Sequence, residues 1–251
     1  MHRRARHLNP DKAGATCALD ARFISGVSNG SNISSWTDRS SSANTPSNSG
    51  LSNNQPLYQS SGFSGQPTVL FDGAADSNNG RFLSWSTTPI SGATEVTAII
   101  AFKRTTGSST FPGAHLTNLG SSIFNDHTPW TDGRYYLSYG IGSRVDFVAP
   151  TTLDVLNIES YKTSGSSWNL YHNSVLFFTN TGTSVSIGSY ARIGSNGGPS
   201  DSRTPDGLSS PGKYYWTGHI GSISLYKSAL SDSLRRRIEH SAAFSYKIAC
   251  S

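Results

Sequence analysis

Glutamate is almost missing from this chain: its 251 residues contain Glu95, Glu159 and Glu239 and no others. Methionine occurs once, cysteine twice, and charged residues make up only 14%. With strong helix formers this scarce, a helical bundle is excluded. No run of about 18 apolar residues occurs, so no transmembrane helix is encoded. Two cysteines cannot staple a small disulfide scaffold. What the chain does have is polar and small: Ser, Thr, Asn and Gly together make up about 43% of it. Its 11 Tyr, 11 Phe and 5 Trp carry enough apolar area for a core, which argues against disorder. These proportions point to one all-β domain of sandwich or barrel type, for which about 200–250 residues is an ordinary size.

The net charge of +5 is unevenly spread, and the first dozen residues carry +3 of it. Arg3, Arg4, Arg6 and Lys12 form a basic arm over residues 1–16, ahead of a nearly neutral domain over 17–251. Such an arm suits docking to an acidic partner surface. No aromatic residue is interleaved with its arginines, so nucleic acid is not the expected partner. The apolar stretch Ala13 to Ala18 is too short and too polar for a signal peptide. Cys17 and Cys250 lie near opposite ends of the chain and are either joined by one long-loop disulfide or two reduced thiols.

Short apolar runs bounded by turn residues recur from Cys17 to Tyr226 and read as about a dozen strands. Val96 to Phe102 is apolar on both faces, as expected of a central strand covered on both sides. In Gly218 to Tyr226 the alternation puts Ile220 out of phase with Ile223 and Leu225, which predicts a bulge near Gly221. One helix is expected from Leu230 to Tyr246, with Ser231 as N-cap, Asp232 in the first turn and an apolar stripe of Leu234, Ile238, Ala242 and Tyr246. The run Arg235 to Arg237 fans around that helix, and Glu239 is placed to pair with Arg235 or Arg236. Two long polar loops, residues 40–54 and 194–212, complete the pattern.

Sugar recognition needs exposed aromatic faces beside polar groups. Trp130, Tyr135 and Tyr136 near His127 and Asp132 form one candidate cluster, and Tyr215 and Trp216 a second. Asp72 and Asp76 bracket an oxygen-rich loop that would supply calcium ligands, or else an ordinary Asx-rich turn.

Several segments resemble the concanavalin A-like lectin/glucanase superfamily, specifically the laminin G-like domain found in bacterial surface and viral (phage) structural proteins. The resemblance rests on Ala18-Leu19-Asp20-Ala21, Trp36-Thr-Asp38-Arg-Ser40, Gln55-Pro56-Leu-Tyr58 and Gly65 to Gly73 near the start. Near the end it rests on Trp216 to Ile220, Leu225-Tyr226, Leu230-Ser231-Asp232, Arg235 to Glu239 and Tyr246-Lys-Ile248. It implies a jelly-roll sandwich of two antiparallel sheets with one C-terminal helix. His219, Ser222 and Ser245 depart from the family pattern. Glycosidases of the superfamily carry Glu-x-Asp-x-x-Glu, since retaining hydrolysis needs paired carboxylates about 5–5.5 Å apart. None of the three glutamates begins that motif, so an enzyme is not expected.

A free-standing jelly roll with a basic arm and no secretion signal fits first a virion-surface component such as a capsid decoration, head fibre or tail spike. Its partners would be other subunits of the assembly, in a homo-oligomer or array. The alternative is a carbohydrate-binding module for a cell-surface or matrix polysaccharide, and a glycoside hydrolase is a distant third. No cofactor is required, calcium is an optional one, and no membrane insertion is expected. The location implied is a virion surface, or the extracellular space reached without a classical signal peptide.

Overall fold

The computed structural model describes residue 10 and residues 13–49, 52–72, 80–105, 116–117, 127–137, 144–150, 154–181, 187, 191–195 and 215–250. Among the described residues the backbone forms a large antiparallel sheet with two smaller sheets on one face and a helix on the other. The large sheet runs β11 (Val175–Thr181), β10 (Ser167–His172), β9 (Leu156–Ser164), β5 (Val96–Arg104) and β13 (Gly218–Tyr226), then β3 (Gln66–Phe71) and β2 (Leu57–Phe63). An eighth strand, β1 (Cys17–Asp20), also pairs with β13. The second layer consists of β4 (Leu83–Trp85), β12 (Ala191–Ile193) and β6 (Leu116–Thr117) in one small sheet, and a ribbon of β7 (Arg134–Leu137) with β8 (Val145–Val148). Helix α1 spans Asp232–Tyr246. This is the mostly β, antiparallel sandwich with one C-terminal helix expected from the sequence, and it is consistent with a jelly roll.

Strand β5 shows why its sequence is apolar throughout. Val96, Ala98, Ile100 and Phe102 join the core between the two sheet layers, while Ile99 and Ala101 join a second core beneath α1. Strand β13 carries the expected bulge, with the register against β5 shifting between Ile220 and Ser222. That extra residue returns Ile220, Ile223 and Leu225 to one core despite their odd spacing. It also marks a handover: β3 pairs with Gly218 to Ile220, and β1 with Ser222 to Leu225. A side chain at Gly221 would put its Cβ 2.7 Å from the Tyr246 ring, so glycine is required where the helix end meets the bulge.

The helix itself is rotated from the expected stripe. Ser231 caps it, accepting from the Leu234 amide, and Ile238 and Tyr246 point inward as expected. Leu234 and Ala242, however, are only half-buried, and Arg235 and Glu239 take the buried positions. The pair is tolerated there because its charges cancel. Arg235 Nη1 lies 2.5 Å from Glu239 Oε1, which also accepts from Ser160 Oγ, and the guanidinium stacks 3.5 Å from the Tyr171 ring centroid.

Loop 40–54, of a length usual for lids, binding loops or partner contacts, is stapled to the sandwich where it is described. Buried Asp38 accepts from the Ala18 and Ser40 amides, Ser40 Oγ and the Asn44 amide. Asn48, also buried, donates to the Asn54 and Phe82 carbonyls, and buried Asn54 donates to the Gly80 carbonyl. Both cysteines are free thiols; burial and nearby Asp38 push the Cys17 thiol up from its ordinary value.

Candidate functional site

The β7–β8 ribbon collects most of the first aromatic cluster. Alternation along β7 turns Tyr135 and Leu137 into the core and leaves Arg134 and Tyr136 on the outer face. The preceding segment pairs with β7 in turn, since His127 and Tyr136 exchange both backbone hydrogen bonds and the Trp130 amide donates to the Arg134 carbonyl. Trp130, Asp132, Arg134, Tyr136, Arg144 and Asp146 therefore gather on one outward surface. Each is half-buried or exposed.

The side chains of that surface are fixed by one another. Tyr136 donates its hydroxyl to Asp132 Oδ2 at 2.7 Å, and the Arg134 amide donates to Asp132 Oδ1 at 2.9 Å. These two donors hold the Asp132 carboxyl below its ordinary range, and the same carboxylate pushes the Tyr136 phenol up. Arg134 Nε donates to Asp146 Oδ2 at 2.7 Å, and the Arg144 guanidinium lies 4.8 Å from the Tyr136 ring centroid. The His127 ring sits 4.2 Å from Trp130 and 6.1 Å from Tyr136. Among the described residues two arginines face two aspartates, so their charges balance. The surface presents aromatic area beside both donors and acceptors, the combination that stacks a sugar ring and reads its hydroxyls.

The inner face of the ribbon is anchored by a glutamate that stands isolated in the sequence. Glu159 on β9 is 0% exposed and accepts from Tyr135 Oη at 2.7 Å and Tyr161 Oη at 2.8 Å. Phe147 of β8 stacks on Phe178 of β11 with centroids 4.2 Å apart, closing the ribbon onto the sheet edge. Nothing in the sequence pairs Glu159 with Tyr135 except their shared inward phase, so sequence reasoning misses this anchor.

The remaining expected residues lie elsewhere. Tyr135 belongs to the interior, not to the outward surface of the ribbon. Tyr215 and Trp216 are likewise buried in the core: Trp216 Nε1 donates to the Thr128 carbonyl, and the Tyr215 ring covers Gly80, where an added Cβ would lie 1.9 Å away. A ring with both faces packed cannot stack a ligand, so Trp130 and Tyr136 are the two of these five aromatics left at the surface. Asp72 is exposed at the end of β3, its carbonyl accepting from the Arg81 amide, whereas Asp76 lies outside the described residues. Among the described residues no group of three or more His, Cys, Asp or Glu side chains is placed to hold a metal ion. Arg3, Arg4, Arg6 and Lys12 lie outside the described residues, as does most of loop 194–212. None of the described helices is long and apolar enough to cross a membrane.

No protein-family model matches the sequence, and no curated protein matches it. Solved structures do share the fold. The binding domain of Paraclostridial Mosquitocidal Protein 1 superposes with a TM-score of 0.57 at 11% identity, covering 91% of this chain and 52% of that one. Domain 4 of AbnA, a GH43 extracellular arabinanase from Geobacillus stearothermophilus solved with arabinotriose, gives 0.51 at 11% identity, covering 90% and 98%. The Botulinum neurotoxin serotype G binding domain gives 0.56 at 8% identity, covering 91% and 51%. The chain thus spans about half of each toxin binding domain and nearly all of the arabinanase domain. At these identities the likeness establishes a shared β-sandwich fold and no more.

Proposed function

We propose that this chain is a non-enzymatic carbohydrate-binding module, with the outer face of the β7–β8 ribbon as its sugar-binding surface. The observation that carries the proposal is the prearranged set of Trp130, Asp132, Arg134 and Tyr136, in which hydrogen bonds hold the polar groups around an aromatic platform. Its balanced charge suits a neutral polysaccharide. The fold agrees with the reading, since the arabinanase domain of nearly equal extent was solved holding an arabinose trimer. Support for a non-enzymatic role comes from the glutamates. Glu159 and Glu239 are both closed from solvent and hydrogen-bonded on opposite sides of β9, leaving exposed Glu95 without a carboxylate partner in sequence. The virion-surface role, expected first from the sequence, draws no support from these likenesses, and the carbohydrate-binding alternative stands better.

The test is a glycan array probed with the folded chain and with Trp130→Ala and Tyr136→Ala. The proposal expects binding to neutral glycans that falls at least about tenfold in each variant, with unchanged circular dichroism. Wild-type binding that survives both substitutions would place the site elsewhere.

A second reading concerns partners. Among the described residues β11 is an edge strand that exposes Val175, Leu176 and Phe177 in a row without a charged residue, an edge of the kind that pairs with other chains. Assembly through this edge predicts a concentration-dependent increase in mass by light scattering, abolished by Leu176→Lys. A monomer at all concentrations contradicts it.

A further inference from the structure

A second concave surface lies at the end of β1, apart from the ribbon. It is a cleft of ≈ 630 Å³ between the one-turn 3-10 helix Ala21–Phe23 and the segment from Asn32 to Arg39. That volume falls within the range of small-ligand sites. Its wall is partly apolar, from Ile24, Val27 and Ile33, and its rim carries the hydroxyls of Ser34, Ser35 and Thr37. Phe23 stands at the opening with 54% of its surface exposed, although it sits in a turn capped by the Asp20 side chain.

The two charged residues of the lining differ in their partners. Asp20 is consumed: its Oδ1 accepts from Tyr246 Oη at 2.8 Å and Arg22 Nε at 3.0 Å, and Arg22 Nη2 lies 2.5 Å from Oδ2. Arg39 has no carboxylate partner among the described residues. Its guanidinium lies over Phe23, 3.3 Å from the ring centroid, while its backbone amide is tied to the Ala18 carbonyl at 2.9 Å. Neighbouring Asp38, stapled by four hydrogen bonds, fixes the direction of that backbone. A guanidinium stacked by its face keeps its N–H edge free, and that edge matches a carboxylate with two parallel hydrogen bonds. Trp36 also lines the cleft, and its buried indole N–H has no acceptor among the described residues.

We propose that this cleft is a binding site for a carboxylate-bearing sugar, a uronic or similar acidic unit of a polysaccharide. Arg39 pairs with the carboxylate, the exposed part of Phe23 packs on the ring, and the rim hydroxyls meet the sugar hydroxyls. The site is separate from the ribbon: the ribbon's described arginines are matched by aspartates, whereas Arg39 at the cleft has no carboxylate partner among the described residues.

The test uses the full chain and paired probes, trigalacturonate, triglucuronate and sialyl-lactose, each as free acid and as carboxylate methyl ester, titrated by calorimetry. Esterification keeps the ring and removes the charge. The proposal expects at least one acid to bind ten times or more tighter than its ester. Arg39→Ala should erase that ratio, Arg39→Lys should restore part of it, and Phe23→Ala should weaken acid and ester together. Trp130→Ala should leave the ratio intact, which separates this site from the ribbon. Acids that bind no better than their esters, or a ratio unmoved in Arg39→Ala, overturn the proposal.

Discussion

Tyr135 and Glu159 meet at 2.7 Å inside the sandwich, hydroxyl to carboxylate, across the two layers of the fold. The bond ties the ribbon that carries the proposed sugar surface to a central strand of the main sheet. Tyr135→Phe leaves a buried carboxylate with one donor fewer, which costs about 1–3 kcal/mol. For a domain of this size that is a fall in Tm of about 2–4 °C per kcal/mol, measurable by thermal denaturation. The same variant should weaken glycan binding more than a surface change of equal stability cost, because the ribbon loses its anchor.

Alkaline pH should unfold this protein through the same chemistry. Burial raises the phenols of Tyr135, Tyr226 and Tyr246, with Glu159 adding to the effect for Tyr135 and Asp20 for Tyr246. A folded-state value above the unfolded one gives stability that is complete below the unfolded value of about 10 and is lost as pH rises toward the folded one. Urea midpoints should therefore hold to about pH 9 and fall steadily above pH 10. A midpoint flat to pH 12 contradicts the buried-phenol account.

His219 imposes the opposite dependence on the acid side. Burial first, then nearby Lys103, lowers it to about 4, and its Nδ1 lies 2.9 Å from Thr68 Oγ1. A depressed folded-state value gives stability that is present above about pH 6.5 and is lost as pH falls toward 4. His219→Gln should flatten the stability profile between pH 6.5 and 4 and leave it unchanged near pH 8. An identical acid profile in the variant would assign that slope to other groups.

The Arg235–Glu239 pair beneath α1 should behave as a unit. Removing one partner strands a buried charge, so Arg235→Met or Glu239→Leu alone should cost about 3–5 kcal/mol. Arg235→Met with Glu239→Leu should recover most of that loss, because the site then becomes apolar. A double-mutant cycle in urea denaturation gives the coupling directly; additive losses contradict it.

Much of the framework is legible in the sequence. The two-faced apolar run of β5, the bulge at Gly221 and the Ser231 cap each follow from local periodicity or local chemistry. Legibility fails where a side chain's environment is set by distant chain. The pairing of Arg235 with Glu239 is legible, but its burial is not, because helix periodicity says nothing about Tyr171 and Ser160 on the sheet below. Tyr215 and Trp216 read as binding aromatics because their burial is decided by Gly80 and Thr128, far away in sequence. Strand β2, half polar and interrupted by Ser60-Ser-Gly, has too little alternation to be recognised. Of the candidate site, the cluster His127, Trp130, Asp132 and Tyr136 is visible because one short segment and one strand carry it. Arg39 over Phe23 is not, since a stacking pair 16 residues apart leaves no periodic trace.

The central claim, a neutral-sugar surface on the ribbon, is tested most directly by nuclear magnetic resonance during titration with a neutral oligosaccharide selected from the array. The account predicts that chemical-shift changes concentrate at Trp130, Asp132, Arg134, Tyr136 and Arg144, and that Trp130→Ala abolishes them. Changes that concentrate away from residues 127–137 and 144–148, or that persist in Trp130→Ala, contradict it.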